Sequence, residues 1–275
     1  MCRALEVSRS GYYAWKKRPK SQRRIDNEVL LIEIRRTFID HDGNYGSPRI
    51  WKALKEADIP CSQNRVAHLM CKEKLVAIQR RKFKATTNSK HNWPVAPNLL
   101  ERNFSVAEPN KIWVTDITYV WTWEGWLYLS IVLDLYSRGI VGLAMSDRIT
   151  DDLTQNALNQ AVGRRNPQAG LIHHSDRGSQ YASGDYQALL KKNEIIPSMS
   201  RKGDCWDNAV AESFFHTLKV EKINRNRFKT RDEAKREIFK YIEIYYNRKR
   251  MHSSLGYKSP FDYEKNSFPS LLTVH

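Results

Sequence analysis

KIWVTDITYVW, residues 111–121, alternates large apolar residues with polar ones, the period of a half-buried strand. WEGW (123–126) supplies a turn, and WLYLSIVLDLY (126–136) is a continuous apolar run suited to a fully buried strand. GIVGLAMS (139–146) reads as a third strand. DDLTQNALNQAVGRR (151–165) has helical spacing, with Thr150 or Asp151 as its N-cap. LIHHS (171–175) and IPSMS (196–200) are short strands on either side of a helix in SGDYQALLKKNEI (183–195). Three meandering strands followed by strands alternating with helices predict an α/β fold around a mixed five-stranded sheet.

Outside this core the pattern is helical. Residues 207–224 and 230–248 read as helices, the second opened by Thr230, and KRMHSSLGYKSPFDYE (249–264) is basic and turn-rich. Residues 79–110 are polar, hold three prolines and show no period, as a linker does. Upstream, residues 1–24 are basic and polar, and 25–39 have helical spacing. RIWKALKEADI (49–59) puts Ile50, Leu54 and Ala57 on one face; the turn DIPC follows, and Ser62 is placed to cap a helix in SQNRVAHLMCKEKL. Two helices joined by a short turn suit a helix-turn-helix, with Gln63, Asn64, Arg65 and His68 as exposed readers of base edges. An ordinary three-helix bundle has the same pattern; the basic charge favours DNA. The expected division is a helical DNA-binding region at 1–78, a linker at 79–107, a catalytic core at 108–222 and a basic helical extension at 223–275.

The chain of 275 residues carries a formal charge of +16, unevenly spread. Residues 1–90 hold 21 Lys/Arg against 9 Asp/Glu, 91–200 hold 9 against 11, and 201–275 hold 16 against 10. A near-neutral middle between basic flanks points to a polyanionic partner, most simply nucleic acid. Cys2, Cys61, Cys71 and Cys205 form no CxxC pair, which argues against a zinc ribbon or a redox motif. No apolar run is long enough to span a membrane, and the first residues lack a signal-peptide core. A cytoplasmic, nucleoid-associated protein is the expectation.

Three acids occupy positions where acids are costly. Asp116 interrupts a strand, Asp176 follows LIHHS at a strand's carboxyl end, and Glu212 sits in a helix beside Ala209 and Ala211. An Asp in a strand also suits a bulge or an edge. Converging carboxylates repel one another and need a divalent cation to coexist as anions. Oxygen ligands suit Mg²⁺, with Mn²⁺ able to replace it. Two ions about 4 Å apart can activate an attacking oxygen and stabilise a leaving one. Lys219, seven residues past Glu212, lies two helical turns on and on the same face.

WVTDITYV, HHSDRGSQYAS and DNAVAESFFHTLK resemble the DDE transposases of bacterial insertion sequences, whose core is similar to retroviral integrase. Between Asp176 and Glu212 lie 35 residues, the interval of the DD(35)E signature, and Lys219 matches the basic residue that follows the family's Glu by seven. VSRSGYYAWKKRP, YGSPRIWKALKE and YNRKRMHSSLGYKSPFDYE resemble the N- and C-terminal segments of the OrfB product of the IS3 family. The resemblance implies an RNase H-like core with Asp116, Asp176 and Glu212 as catalytic metal ligands for Mg²⁺, and two ions. It implies cleavage at the element's terminal repeats, then attack by the freed 3′-hydroxyl on target DNA. It further implies DNA contacts at Lys219, Arg177, Lys202, Arg250 and His252, an OrfA partner or fusion, and a homo-multimer that brings two ends together. With no leucine heptads and Met1 just before the OrfB-like motif, the chain reads as the unfused half. His173 and His174 read as structural or phosphate-contacting rather than as metal ligands. A DNA-binding regulator with an inert core and a metal nuclease that does not join strands are the alternatives.

Overall fold

A computed structural model describes residues 2, 5–78, 96–101, 104–201 and 208–267, in two compact units that meet in the chain at Ile78 and Gln79. The smaller unit is helical: α1 (Arg9–Lys17), α2 (Gln22–Asp40), α3 (Ser47–Glu56) and α4 (Gln63–Lys72). Its core is small and apolar, with Leu30 and Ile34 of α2, Ile50 and Leu54 of α3 and Val66, Leu69 and Met70 of α4 all buried. Ser62 caps α4 as expected, its hydroxyl accepting from the Arg65 amide at 3.3 Å. Helix α1 lies in a stretch whose composition predicts only a basic, polar segment. It buries no side chain; local bonds hold it, including the Ser8 hydroxyl accepting from the Gly11 amide.

The larger unit is built on one five-stranded sheet: β1 (Ile112–Thr122), β2 (Gly125–Asp134), β3 (Ile140–Ser146), β4 (Ile172–Ser175) and β5 (Ile196–Met199), in the order β3-β2-β1-β4-β5. β2 runs antiparallel to β1 and β3, and β4 and β5 run parallel to β1. This is the RNase H-like arrangement, in which β2 alone is reversed. On one face lie α5 (Asp151–Arg165) and α7 (Gly184–Lys192), which follows the single turn α6 (Ser179–Ala182); they pack over Trp113, Val132 and Val141. α5 approaches closely because β3 offers Gly142: a Cβ there would lie 2.2 Å from the Ala157 carbonyl oxygen. On the other face, α8 (Ala209–Glu221) and α9 (Arg231–Lys240) bury Phe214, Leu218, Ala234 and Ile238 against Leu127, Leu129, Ile131 and Leu133 of β2. Each phenylalanine, leucine and isoleucine here contributes about 1.5–3 kcal/mol on burial.

Two segments differ from the sequence expectation. Part of the expected linker is packed: Leu100 is buried against Val114, Leu135 and Ala211, and the Leu99 amide donates to Ser198. Isolated apolar residues in a polar, proline-bearing stretch give no periodic signal, so this docking is invisible locally. Nor do the residues after 222 form a separate layer. Phe228, Ile242 and Tyr246 join the core cluster, and the Asn247 side chain pairs with both backbone groups of Ile140 on edge strand β3. Beyond α9 the helix continues in wider π-type turns over Tyr241–Tyr246. The turn-rich tail ends in a helix, α10 (Pro260–Ser267), tied to α5 by an ion pair at 2.7 Å between half-buried Arg165 and buried Glu264.

Candidate active site

Parallel pairing of β1 with β4 sets Val114 opposite His174. Asp116 and Asp176 each lie two residues further on, so the register carries Asp176, just past the carboxyl end of β4, alongside Asp116 in mid-β1, adjacent strands being about 4.8 Å apart. Each is fixed by a backbone donor: Ile117 N–H to Asp116 Oδ1 at 2.7 Å, and Gly178 N–H to Asp176 Oδ1 at 2.9 Å. A Cβ at Gly178 would lie 2.9 Å from Asp176 Oδ1, so a larger residue there would make that carboxylate shift.

Glu212 comes from α8, which presses on β1 through fully buried Ala211. The cap residue Asn208 ties that helix start to the strand: its side-chain N–H donates to the Thr115 carbonyl, beside Asp116, at 3.3 Å. Among the described residues, Asn208 Oδ1 is buried without a hydrogen-bond partner. One helix face places Lys219 next to the acids, with its ammonium 5.0 Å from the centre of the Tyr119 ring.

The Asp116 carboxyl feels the other charged groups of this region. Burial pushes the Asp116 carboxyl well above the usual carboxylate range, and the charges of Asp176 and then Glu212 push it further; the Ile117 amide and Lys219 act against them. Burial also raises Glu212. Lys219 is lowered by burial and raised by Asp116. Three like charges without a counter-cation repel, and among the described residues no three His, Cys, Asp or Glu side chains form a ready metal cage. The donor set nevertheless fits a hard divalent cation: all its ligands are carboxylate oxygens, and a cation between them removes the repulsion that Asp116 feels.

The histidines before Asp176 are structural. His173 and His174 are buried; His173 meets the Tyr186 hydroxyl at 3.2 Å, and His174 is held between Ser198 and Ser200. Burial, then the neighbouring His174, lowers the His173 pKa to about 3.

The residues expected to contact DNA divide. Gln63, Asn64 and His68 are exposed on the first turns of α4, and Arg65 is half-buried, its guanidinium donating to Asn27 of α2 at 2.7 Å. Asn64, Arg65 and His68 line a recess of about 490 Å³ with Arg23 and Asn27. Arg177 spends its Nε on the Ser200 carbonyl at 2.7 Å, which anchors the chain beyond β5. His252 is half-buried beside Ser254. Lys202 lies outside the described residues. Arg250 is a correction. It is buried, and its guanidinium grips the carboxylate of Glu221 at the end of α8 through bonds of 2.7–3.1 Å. A guanidinium committed to a buried carboxylate cannot reach a phosphate.

Two family models named Integrase core domain match residues 106–205 and 193–260, and one named HTH-like domain matches 24–83. The chain is 47% identical over 248 residues to the transposase for insertion sequence element IS904 of Lactococcus lactis, covering 90% of this chain and 98% of that one. It is 42% identical over 274 residues to Transposase InsF for insertion sequence IS3A of Escherichia coli, covering 97% and 93%. The chain belongs to the transposases of IS3-family insertion sequences. A 31 kDa protein of insertion element IS600 from Shigella sonnei is 49% identical over 260 residues, covering 94% and 96%. Among solved structures, the HTLV-2 integrase catalytic core domain in complex with magnesium aligns with a TM-score of 0.44 and 17% identity over 56% of this chain and 95% of that one. An IS3-family transposase with an integrase core is an enzyme of the DDE type. Among the described residues no helix is long and apolar enough to cross a membrane.

Proposed function

We propose that this transposase cuts DNA at the ends of its insertion sequence and joins the freed 3′-hydroxyls to target DNA, with Asp116, Asp176 and Glu212 as the metal-binding acids. The observation that carries this reading is the placement of Asp116, held in β1, beside Asp176 at the carboxyl end of β4, with the charges of Asp176 and Glu212 both acting on the buried Asp116 carboxyl. These three acids would hold Mg²⁺, or Mn²⁺ in its place, as a pair of ions, which would supply the charge to activate an attacking oxygen and steady a leaving one. The chain's own residues do the positioning. The Ile117 and Gly178 amides hold the two aspartates at fixed angles, and Asn208 holds the helix of Glu212 against β1. Lys219 places a cation beside Asp116, where a phosphate of the cut strand is bound. The helical unit reads DNA with Gln63, Asn64 and His68, Arg65 being positioned by Asn27. A multimer containing two ends, with an OrfA partner, completes the reaction in the cell.

The test incubates the full chain, with and without OrfA, with terminal-repeat duplexes, target DNA and Mg²⁺. Joined products that vanish on chelation support the reading. Nicks without joining would make the protein a nuclease, and binding with no product at all would make it a regulator.

A further inference from the structure

The pairing of β1 is lopsided. β2 accompanies it from Trp113 to Thr122, whereas on the other side β4 stops at Val114. Among the described residues, no strand covers that second edge from Asp116 onward until Phe228 meets Thr122 at the hairpin end. Beside the uncovered stretch is a groove of about 500 Å³. Tyr119, Trp121, Trp123 and Trp126 line it together with Arg227 and with Lys219, whose ammonium lies over the Tyr119 ring.

This composition is not that of a core. The three tryptophans are 43–67% exposed, and Trp121 and Trp126 meet edge to face with centroids 4.8 Å apart. Among the described residues, no acidic one lines the groove. Large apolar rings at such exposure are costly in water, and clustered rings next to cations mark a ligand site. Planar rings with cations beside them suit one class of ligand above others: unpaired nucleobases, stacking on the exposed tryptophans while their phosphates meet Lys219 and Arg227. Position agrees with composition. Tyr119 is three residues beyond Asp116, about 10 Å along the strand and on the other face of its pleat, and Lys219, whose ammonium lies 5.0 Å from the Tyr119 ring centre and feels the charge of Asp116, joins the groove to the acids round the uncovered edge.

We propose that this groove is a single-strand site, taking the unpaired bases next to the scissile phosphate after the duplex end has opened. The idea rests on the strand-transfer reading for its location, but its test does not need chemistry.

Full-length protein and its Trp121→Ala and Trp123→Ala variants are titrated with labelled oligo-dT and with a fully paired duplex of equal length. Both side chains are largely exposed, so the fold is not at stake, and circular dichroism confirms it. Each lost ring is expected to weaken oligo-dT binding about five-fold or more while duplex binding moves less than two-fold. Iodouracil placed at the opened end is expected to crosslink to the 119–126 hairpin. Unchanged oligo-dT affinity, an equal loss on duplex, or a shift of oligomeric state in place of a DNA effect would each overturn the proposal, the last by making the groove a protein contact. If the tryptophans prove necessary for oligo-dT but no strand is ever cut, the strand-transfer reading fails and the groove stands. If cutting occurs and the variants bind normally, the reverse holds.

Discussion

Replacing Arg250 by Ala separates a structural role from a DNA contact. Arg250 and Glu221 are both buried, and the guanidinium meets the carboxylate through Nε at 2.9 and 3.1 Å and Nη2 at 2.7 Å. The Tyr241 hydroxyl donates to the same carboxylate at 2.7 Å, and the guanidinium lies 5.7 Å from the Tyr246 ring centre. Removing the arginine leaves one neutral donor for a buried anion, at a cost of about 3–5 kcal/mol. Because Glu221 ends the helix that carries Glu212 and Lys219, the loss is felt near the acids as well as in global stability. Urea unfolding at neutral pH, followed on the transition of the larger unit, reads the loss; a double Glu221→Gln, Arg250→Met variant is expected to recover most of it. An Arg250→Ala protein within about 1 kcal/mol of wild type but weakened for DNA would refute the reasoning and restore the arginine as a phosphate contact.

Other expectations follow from single contacts. Gly142→Ala drives a methyl into the Ala157 carbonyl, 2.2 Å away, and is expected to destabilise the larger unit by about 1–3 kcal/mol in the same denaturation assay. Asn208→Ala removes the tie between α8 and the Thr115 carbonyl; with Glu212 displaced, strand cleavage is expected to slow about ten-fold or more while DNA affinity holds. His173, its pKa lowered to about 3, is expected to show no ring titration by NMR between pH 8 and 5. Its folded-state pKa lies below the unfolded value of about 6.5, so its contribution to stability is present above pH 6.5 and is lost as pH falls from there toward 3.

Legibility in the sequence followed the range of the interactions. The strands of the sheet show in period-two alternation and apolar runs, because each buries its own face. The acids are legible as oddities, Asp116 within a strand and Asp176 at a strand end, and the interval from Asp176 to Glu212 joins them to a family. What needs a distant partner is not legible. Arg250 is one basic residue among many until Glu221, 29 residues earlier in the chain, is seen against it. Leu100 and Phe228 sit in polar stretches and reach the core only through tertiary packing. The groove was concealed in WTWEGW, which reads as strand and turn. The excess of tryptophan in a hairpin with little left to bury was the available signal.

The central claim is that Asp116, Asp176 and Glu212 together perform the chemistry, and single-turnover cleavage and joining by Asp116→Asn, Asp176→Asn and Glu212→Gln proteins tests it most directly. Each is expected to lose both reactions in Mg²⁺ while binding terminal-repeat DNA about as well as wild type. Near-normal activity in any one of the three would contradict the account.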